Sequence, residues 1–501
     1  MWNYGGFSFI ATTATKKHRL LSLLLAGLLL LPTLASCAVD TDTGDATGTA
    51  GATTEAVEVI TDPVEAALSE LRKTADWGGE DFGILYSVVY DSYREEVEAK
   101  PEGGTVINDA VFERNTLFEE YCNLNFVLLP EEGEAYNTTL TNGIQTGTKD
   151  FFLCSRGGSD TAASAVQGYH YNYLDLDIDY DHEWWDQGTL NFALDGRVFF
   201  MNGPFNTIDD DCTYFVAFNK KLQQEYQVAN PYQTVRDGKW TMEYMNSIIS
   251  TLSNDNGDGI WDDKDVYGLT ATSVLADALF YGAGLKYVDN SLDKDVPELI
   301  LNDKMDRVTD VLDITRSIIH DNNSTYLSIG VDVFMRDRAL YAFEVVNYLR
   351  VMNASMESEY GALPVPKFDT TQEDYYSFSN AGVGTTLSIP TTAAQVDMDL
   401  YAKVLETYCL LSQKLVKPAY YEVTLMTRNI QDLDSAEMLD ILFSHRIYDM
   451  AAYFADFGLS GIFSAATTGS ADNFSSKYKA ASKKFDKTVT KLLEKLQKNE
   501  Q

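Results

Sequence analysis

TYFVAFNKKLQQEY, residues 213–226, runs a β-branched and aromatic stretch straight into a polar one that carries a single leucine. The first half has strand composition and the second half has helical composition. The same order recurs along the chain. FGILYSVVYD (82–91) reads as a strand, INDAVFERNTLFEEYCN (107–123) as a helix and FVLL (126–129) as a second strand. RVFFMNG (197–203), VYGLTAT (266–272) and ALYAFEVVNYL (339–349) continue the alternation. Strands alternating with helices predict α/β layers, not a sandwich or a helical bundle. No internal repeat of fixed period is visible.

The carboxy-terminal part reads as helical. In DLDSAEMLDILFSHRIYDMAAYF (432–454), Asp434 and Glu437 are spaced like a capping box ahead of an apolar stripe of Met438, Leu439, Leu442 and Phe443. Phe474, Tyr478, Ala481, Phe485, Val489, Leu492 and Leu496 recur every three or four residues and predict a long amphipathic helix. Eight lysines lie between 477 and 498; they are read as the solvated outer face of a docked helix. Tyr244, Met245, Ile248, Ile249 and Leu252 form a stripe that places the preceding Trp240 in a core.

The amino terminus has a different character. Lys16, Lys17 and Arg19 precede an apolar run over 20–31, as in a secretory signal peptide too short to span a bilayer comfortably. Leu34-Ala35-Ser36-Cys37 resembles a lipoprotein lipobox, which implies removal of residues 1–36 and acylation of Cys37. Residues 37–79 are read as a lipid-anchored leash; the stretch 38–62 has no aromatic residue and too little apolar surface to offset its chain entropy. The whole chain carries a net charge of −37, which becomes −40 without the three basic residues of the leader. That charge repels nucleic-acid phosphates and anionic lipid, and neither is expected as a partner. Cys122, Cys154, Cys212 and Cys409 show no zinc spacing; Cys122 shares a helical face with Val111 and Phe118, and one disulfide of unassigned pairing stays open.

EWWDQGTL (183–190), RVFFMNGPFN (197–206), YFVAFNKKLQQEY (214–226), DGKWTMEYM (237–245), ALFYGAG (278–284), YGALPVPKFD (360–369) and PAYYEVTL (418–425) together resemble, in that order, the family 1 extracellular solute-binding proteins of carbohydrate ABC transporters. The resemblance implies a type II, two-lobe periplasmic-binding-protein-like fold with a ligand cleft between hinged lobes. Hinges are expected near Met201–Pro204, near Ser379–Gly382 and near the helix around His445. Lobe one is then 80–202 with 382–445, and lobe two 203–381 with 446–501. It further implies a carbohydrate ligand, ABC permease partners and a monomer tethered to the outer face of the cell membrane.

A sugar presents hydroxyls and a flat C–H face, so a receptor for it needs aromatics beside carboxylates and amides. Tyr90 and Asp91 follow the first strand, Asn202, Asn206 and Asp209 fall in the first hinge, Phe280 and Tyr281 precede two glycines, and Glu344 and Asn347 end an apolar run. Of Trp184 and Trp185, adjacent indoles on a strand cannot face one way, so one is expected in the cleft and the other in a lobe. No cofactor is expected for function. NDNGDGIWDDKD (254–265) fits a calcium loop with Asn254, Asn256, Asp258, the Ile260 carbonyl, Asp262 and Asp265 as ligands and Gly259 at the sharp turn. It departs from that pattern at Asn254 and at Asp265, which is shorter than the usual glutamate. An isolated structural calcium is expected there.

Rival readings remain open at this level. DLDIDYDHEWWDQ (175–187) crowds carboxylates beside tryptophans, as glycoside hydrolysis requires, yet no GxSxG, HExxH or phosphate loop is present. A peptide receptor or sensor of the same fold is the other alternative.

Overall fold

The computed structural model describes residues 62–501 apart from 102, 293, 295, 322, 426–432, 470–472 and 500–501. Two five-stranded sheets carry the chain. In the first, Asn125–Glu131, Asp81–Ser87 and Leu153–Gly157 run parallel. Thr385–Ser388 then lies antiparallel to Leu153–Gly157, and Phe200–Met201 closes the edge antiparallel to it. In the second, Tyr214–Asn219 sits antiparallel between Tyr360–Leu363 and Ala339–Val345, followed by the parallel strands Tyr267–Ala271 and Thr325–Leu327. Every strand residue of 82–87, 214–219 and 267–271 is buried, as expected where helices cover both faces.

Each sheet with its helices forms one lobe, and the chain crosses between them after Met201 and returns before Thr385. The crossings are stitched to one another. Thr213 bridges Ser379, and Ser377–Phe378 pairs in parallel with Arg446–Ile447. Residues 426–432 lie outside the described ones.

Two boundaries differ from the sequence reading. The leash is expected to reach residue 79, yet Pro63–Thr74 is a helix capped by the Asp62 carboxylate, which accepts from the Val64 N–H at 2.9 Å. Val64, Leu68 and Leu71 bury an apolar face against the first lobe, whose core also holds Tyr401 and Tyr408. The apolar spacing of PVEAALSEL, hidden beside a Thr-rich stretch, supplies what 38–62 lacks. The helix Leu433–Ser444 was assigned to lobe one; it packs on Tyr360–Leu363 of the second sheet. Arg236 of lobe two binds both Asp434 and Glu437, so the pair read as a capping box is a surface arginine site.

The largest apolar cluster spans both lobes. Phe192 and Phe200 of the first lobe meet Tyr453, with ring centroids 4.2 and 6.1 Å apart. Gly158 lets that ring approach, since a Cβ there would lie 2.2 Å from a ring carbon of Tyr453. Trp240 is core, its indole N–H donating to the Pro364 carbonyl at 2.8 Å. The terminal helix Phe474–Asn499 buries Phe474, Tyr478, Phe485, Val489, Leu492 and Leu496. All four cysteines of the described residues are free and buried. No helix among the described residues is long and apolar enough to cross a membrane.

Leu68 tests the revised amino-terminal boundary. Leu68→Ala should lower the urea-unfolding free energy by about 2–3 kcal/mol, the cost of a core truncation, and an unchanged midpoint would return residues 62–79 to the leash.

Candidate interlobe site

The first crossing carries three carboxylates where water is excluded. Gly203 and Pro204 end the edge strand, and Thr207–Asp211 forms one short helical turn containing Asp209, Asp210 and Asp211, all buried. Successive helical residues point about 100° apart, so the three carboxylates face different directions and need different counter-ions. Arg446 binds Asp210 at 2.7 Å and Asp209 at 3.0 Å through one guanidinium nitrogen, and Asp186 at 2.8 Å through another. The Tyr448 hydroxyl reaches both Asp186 and Asp209 at 2.7 Å. Lys417 holds Asp210 at 2.8 Å, while Asp211 takes Arg350 at 2.7 Å and the Tyr420 hydroxyl at 2.8 Å. Arg350 also reaches Glu95 at 3.1 Å, joining a helix of lobe two to the helix Asp91–Val97 of lobe one.

Glu96 completes the knot from lobe one. Its carboxylate accepts from the Ile208 N–H at 2.7 Å and from the Thr385 hydroxyl at 2.7 and 2.9 Å. Burial pushes its carboxyl up to about 8 against those hydrogen bonds, and Asp209 and Asp211 nearby add to the rise. Burial likewise raises Asp211 to about 6, with Arg350 opposing.

Beside this knot lies a cavity of about 650 Å³. Trp184, Trp185, Asp186 and Gln187 line it from lobe one, Gly203 and Pro204 from the crossing, Lys417 and Tyr421 from the helix Lys417–Leu425, and Asp440, Phe443 and Arg446 from lobe two and the returning strand. The indole N–H groups of both tryptophans are buried without a hydrogen-bond partner, and so are both polar atoms of Asn202. Aromatic surface and convergent polar groups are thus gathered where the two lobes meet.

No family model and no curated relative matches the chain. Solved structures do. A cyclo/maltodextrin-binding protein complexed with maltotetraose is 13% identical, with 83% of this chain and 96% of that one covered at a TM-score of 0.52. UspC of M. tuberculosis is 14% identical over 81% of this chain and 100% of that one, also at 0.52. An ABC transporter solute-binding protein from Thermotoga lettingae, bound with α-D-tagatose, is 13% identical over 82% and 100%, at 0.50. The fold is that of the two-lobe solute-binding proteins.

Within that fold the residues singled out from sequence divide into groups. Asn202, Asn206 and Asp209 lie together in the crossing; Asn206 donates to the Thr385 hydroxyl at 3.2 Å, and Asp209 serves Arg446 and Tyr448. Trp184 and Trp185 both line the cavity and both pack in the lobe-one core, because residues 180–186 form turns and not a strand. The expected division of labour between them therefore gives way to two rings that each pack and line. Tyr90 is exposed at the end of the first strand and contacts Tyr93 edge-on; the Asp91 side chain lies outside the described ones. Glu344 is buried with one carboxylate oxygen unpaired, and Asn347 is exposed, its backbone N–H donating to Asp211.

Phe280 and Tyr281 are packed among other rings. Phe280 has no exposed surface and stacks on Tyr287 at 4.7 Å, and Tyr281 stacks on Phe378 at 4.2 Å. Cys37 lies outside the described residues. In the 254–265 loop, Gly257 and Gly259 have φ of +102° and +75°, and Asn256, Asp258 and Asp262 each accept a backbone N–H two residues ahead. Asp265 accepts from the Asn256 and Asp262 N–H groups. Lys264 binds Asp262 at 2.7 Å, and no group of three His, Cys, Asp or Glu among the described residues is placed to hold a metal.

Sequence reading missed Arg446, Tyr448, Lys417 and Tyr421. The available signal was the Asp-Asp-Asp run, since three adjacent carboxylates buried in a crossing oblige basic residues elsewhere to approach them.

Two measurements test the knot. Arg446→Met should destabilise the protein by about 3–5 kcal/mol in chemical denaturation, because Asp186, Asp209 and Asp210 lose their shared cation. Glu96 has a folded pKa above its unfolded one, so its stabilising contribution is complete below about pH 4 and is lost as pH rises to about 8. Glu96→Gln should therefore gain stability relative to wild type between pH 5 and 8, and parallel pH profiles would refute the assignment.

Proposed function

We propose that this chain is a membrane-anchored extracellular receptor that captures a carbohydrate, specifically an oligosaccharide, and hands it unaltered to an ABC importer. The observation that carries the reading is the interlobe cavity of about 650 Å³, whose wall combines two indoles, Tyr421 and Phe443 with charged and amide groups. Its size lies in the range of small-ligand sites, and its composition matches the two faces of a sugar. Two of the structural neighbours carry maltotetraose and tagatose, and that precedent supports a sugar here. Acylation at Cys37 would keep a monomeric receptor near its permease at high effective concentration.

Isothermal titration against an oligosaccharide panel should yield a ligand whose affinity falls about tenfold or more in Tyr421→Ala, an aromatic contact worth at least about 1.4 kcal/mol. Prolonged incubation with the same panel should release no product. Absence of any binder overturns the receptor, and turnover replaces it with a hydrolase.

The 254–265 loop is proposed as a structural calcium site, supported by its two left-handed glycines and by the alternation of oxygen-bearing side chains. Calcium should raise the melting temperature of the wild type and leave Asp258→Ala unmoved; equal responses in both would remove calcium from this loop.

A further inference from the structure

The terminal helix Phe474–Asn499 has 26 residues and carries eight lysines against two acidic residues, Asp486 and Glu494. Its charge is +6 in a chain whose total is −37, so everything else sums to −43. All eight lysines are exposed, and none has an ion-pair partner among the described residues. Their spacing is ordered. Lys477, Lys484, Lys491 and Lys498 recur every seven residues, and Lys487 and Lys495 stand three or four residues from members of that series. On a helix these six form one stripe, about 31 Å long over 21 residues. Asp486 and Glu494 line a groove with Val296 and Pro297, and Glu494, three residues from Lys491 and four from Lys498, borders the stripe. The helix cannot insert, because its apolar face is spent on lobe two through Phe485, Val489 and Leu492.

A docked helix with an unneutralised straight cationic stripe is complementary to a flat anionic surface. From this geometry we infer that the Lys477–Lys498 stripe binds the anionic headgroups of a lipid bilayer and orients the receptor on it. The inference is independent of the ligand and of the interlobe cavity. A flat bilayer meets the helix on one face only, and its field falls off with distance. Screening confines that field to about 8 Å at physiological salt. The stripe supplies orientation, which a single acyl tether at the end of a leash does not.

Vesicle co-sedimentation of the full chain tests this, since the amino-terminal segment is common to every variant and cancels. Phosphatidylglycerol-containing vesicles should bind the wild type about tenfold or more better than they bind a variant with Lys477, Lys484, Lys487, Lys491, Lys495 and Lys498 replaced by Gln. Replacement by Arg should retain binding. The difference should vanish on pure phosphatidylcholine and on raising salt from about 0.1 M to about 1 M, which shortens the screening length from about 10 Å to about 3 Å. Equal sedimentation of wild type and the Gln variant on anionic vesicles overturns the proposal. So does lysine-dependent binding to soluble polyphosphate without vesicle partition, which would assign the stripe to a soluble polyanion.

Discussion

Three adjacent carboxylates, Asp209, Asp210 and Asp211, sit without solvent in the segment that carries the chain from one sheet to the other. Charges of like sign so close together and so dry are unfavourable unless each is met by a cation or a donor. The partners come from three separate parts of the chain: Arg350 on a lobe-two helix, Lys417 and Tyr420 on a lobe-one helix, and Arg446 with Tyr448 on the returning strand. Glu96 is a further buried acid beside them, held by the Ile208 N–H and the Thr385 hydroxyl. The crossing is thereby fixed to both lobes at once, and its alternatives are excluded more by the cost of an unpaired buried charge than by the strength of any one pair.

That constraint shapes the cavity beside it. Arg446 and Asp186 belong both to the knot and to the cavity wall, so a guest contacting them touches groups already held in place. Preorganised polar groups bind with a smaller ordering cost. The aromatic rings of the wall are immobilised in the same way, Trp185 edge-on against Tyr180 and Phe205. The single apolar cluster running through Phe192, Phe200 and Tyr453 joins the lobes on a further surface, so any opening between them must part these rings.

Charge is distributed just as unevenly. The acidic body keeps polyanions away, while the last helix collects basic residues on a flank that packing leaves bare. A helix docked through one face leaves the others to solvent, and there nothing in the core dictates sequence.

Much of the architecture was readable from local chemistry. Period-two and period-3.6 patterns announced the α/β alternation, the placement of Trp240 in a core, and the apolar face of the terminal helix, because those patterns reflect which side of an element meets the interior. Where one pattern served two meanings, the sequence could not decide. Phe280 and Tyr281 have the composition of a sugar-binding loop and the environment of a core, and Asp434 and Glu437 have the spacing of a cap and the partner Arg236. The Asp-Asp-Asp run told of a need for cations without saying which, since Arg446 is more than 230 residues away along the chain. Local periodicity is set by neighbours in sequence, whereas a counter-ion is chosen by distance in space, and only the folded chain brings Arg350, Lys417 and Arg446 to the same few ångströms.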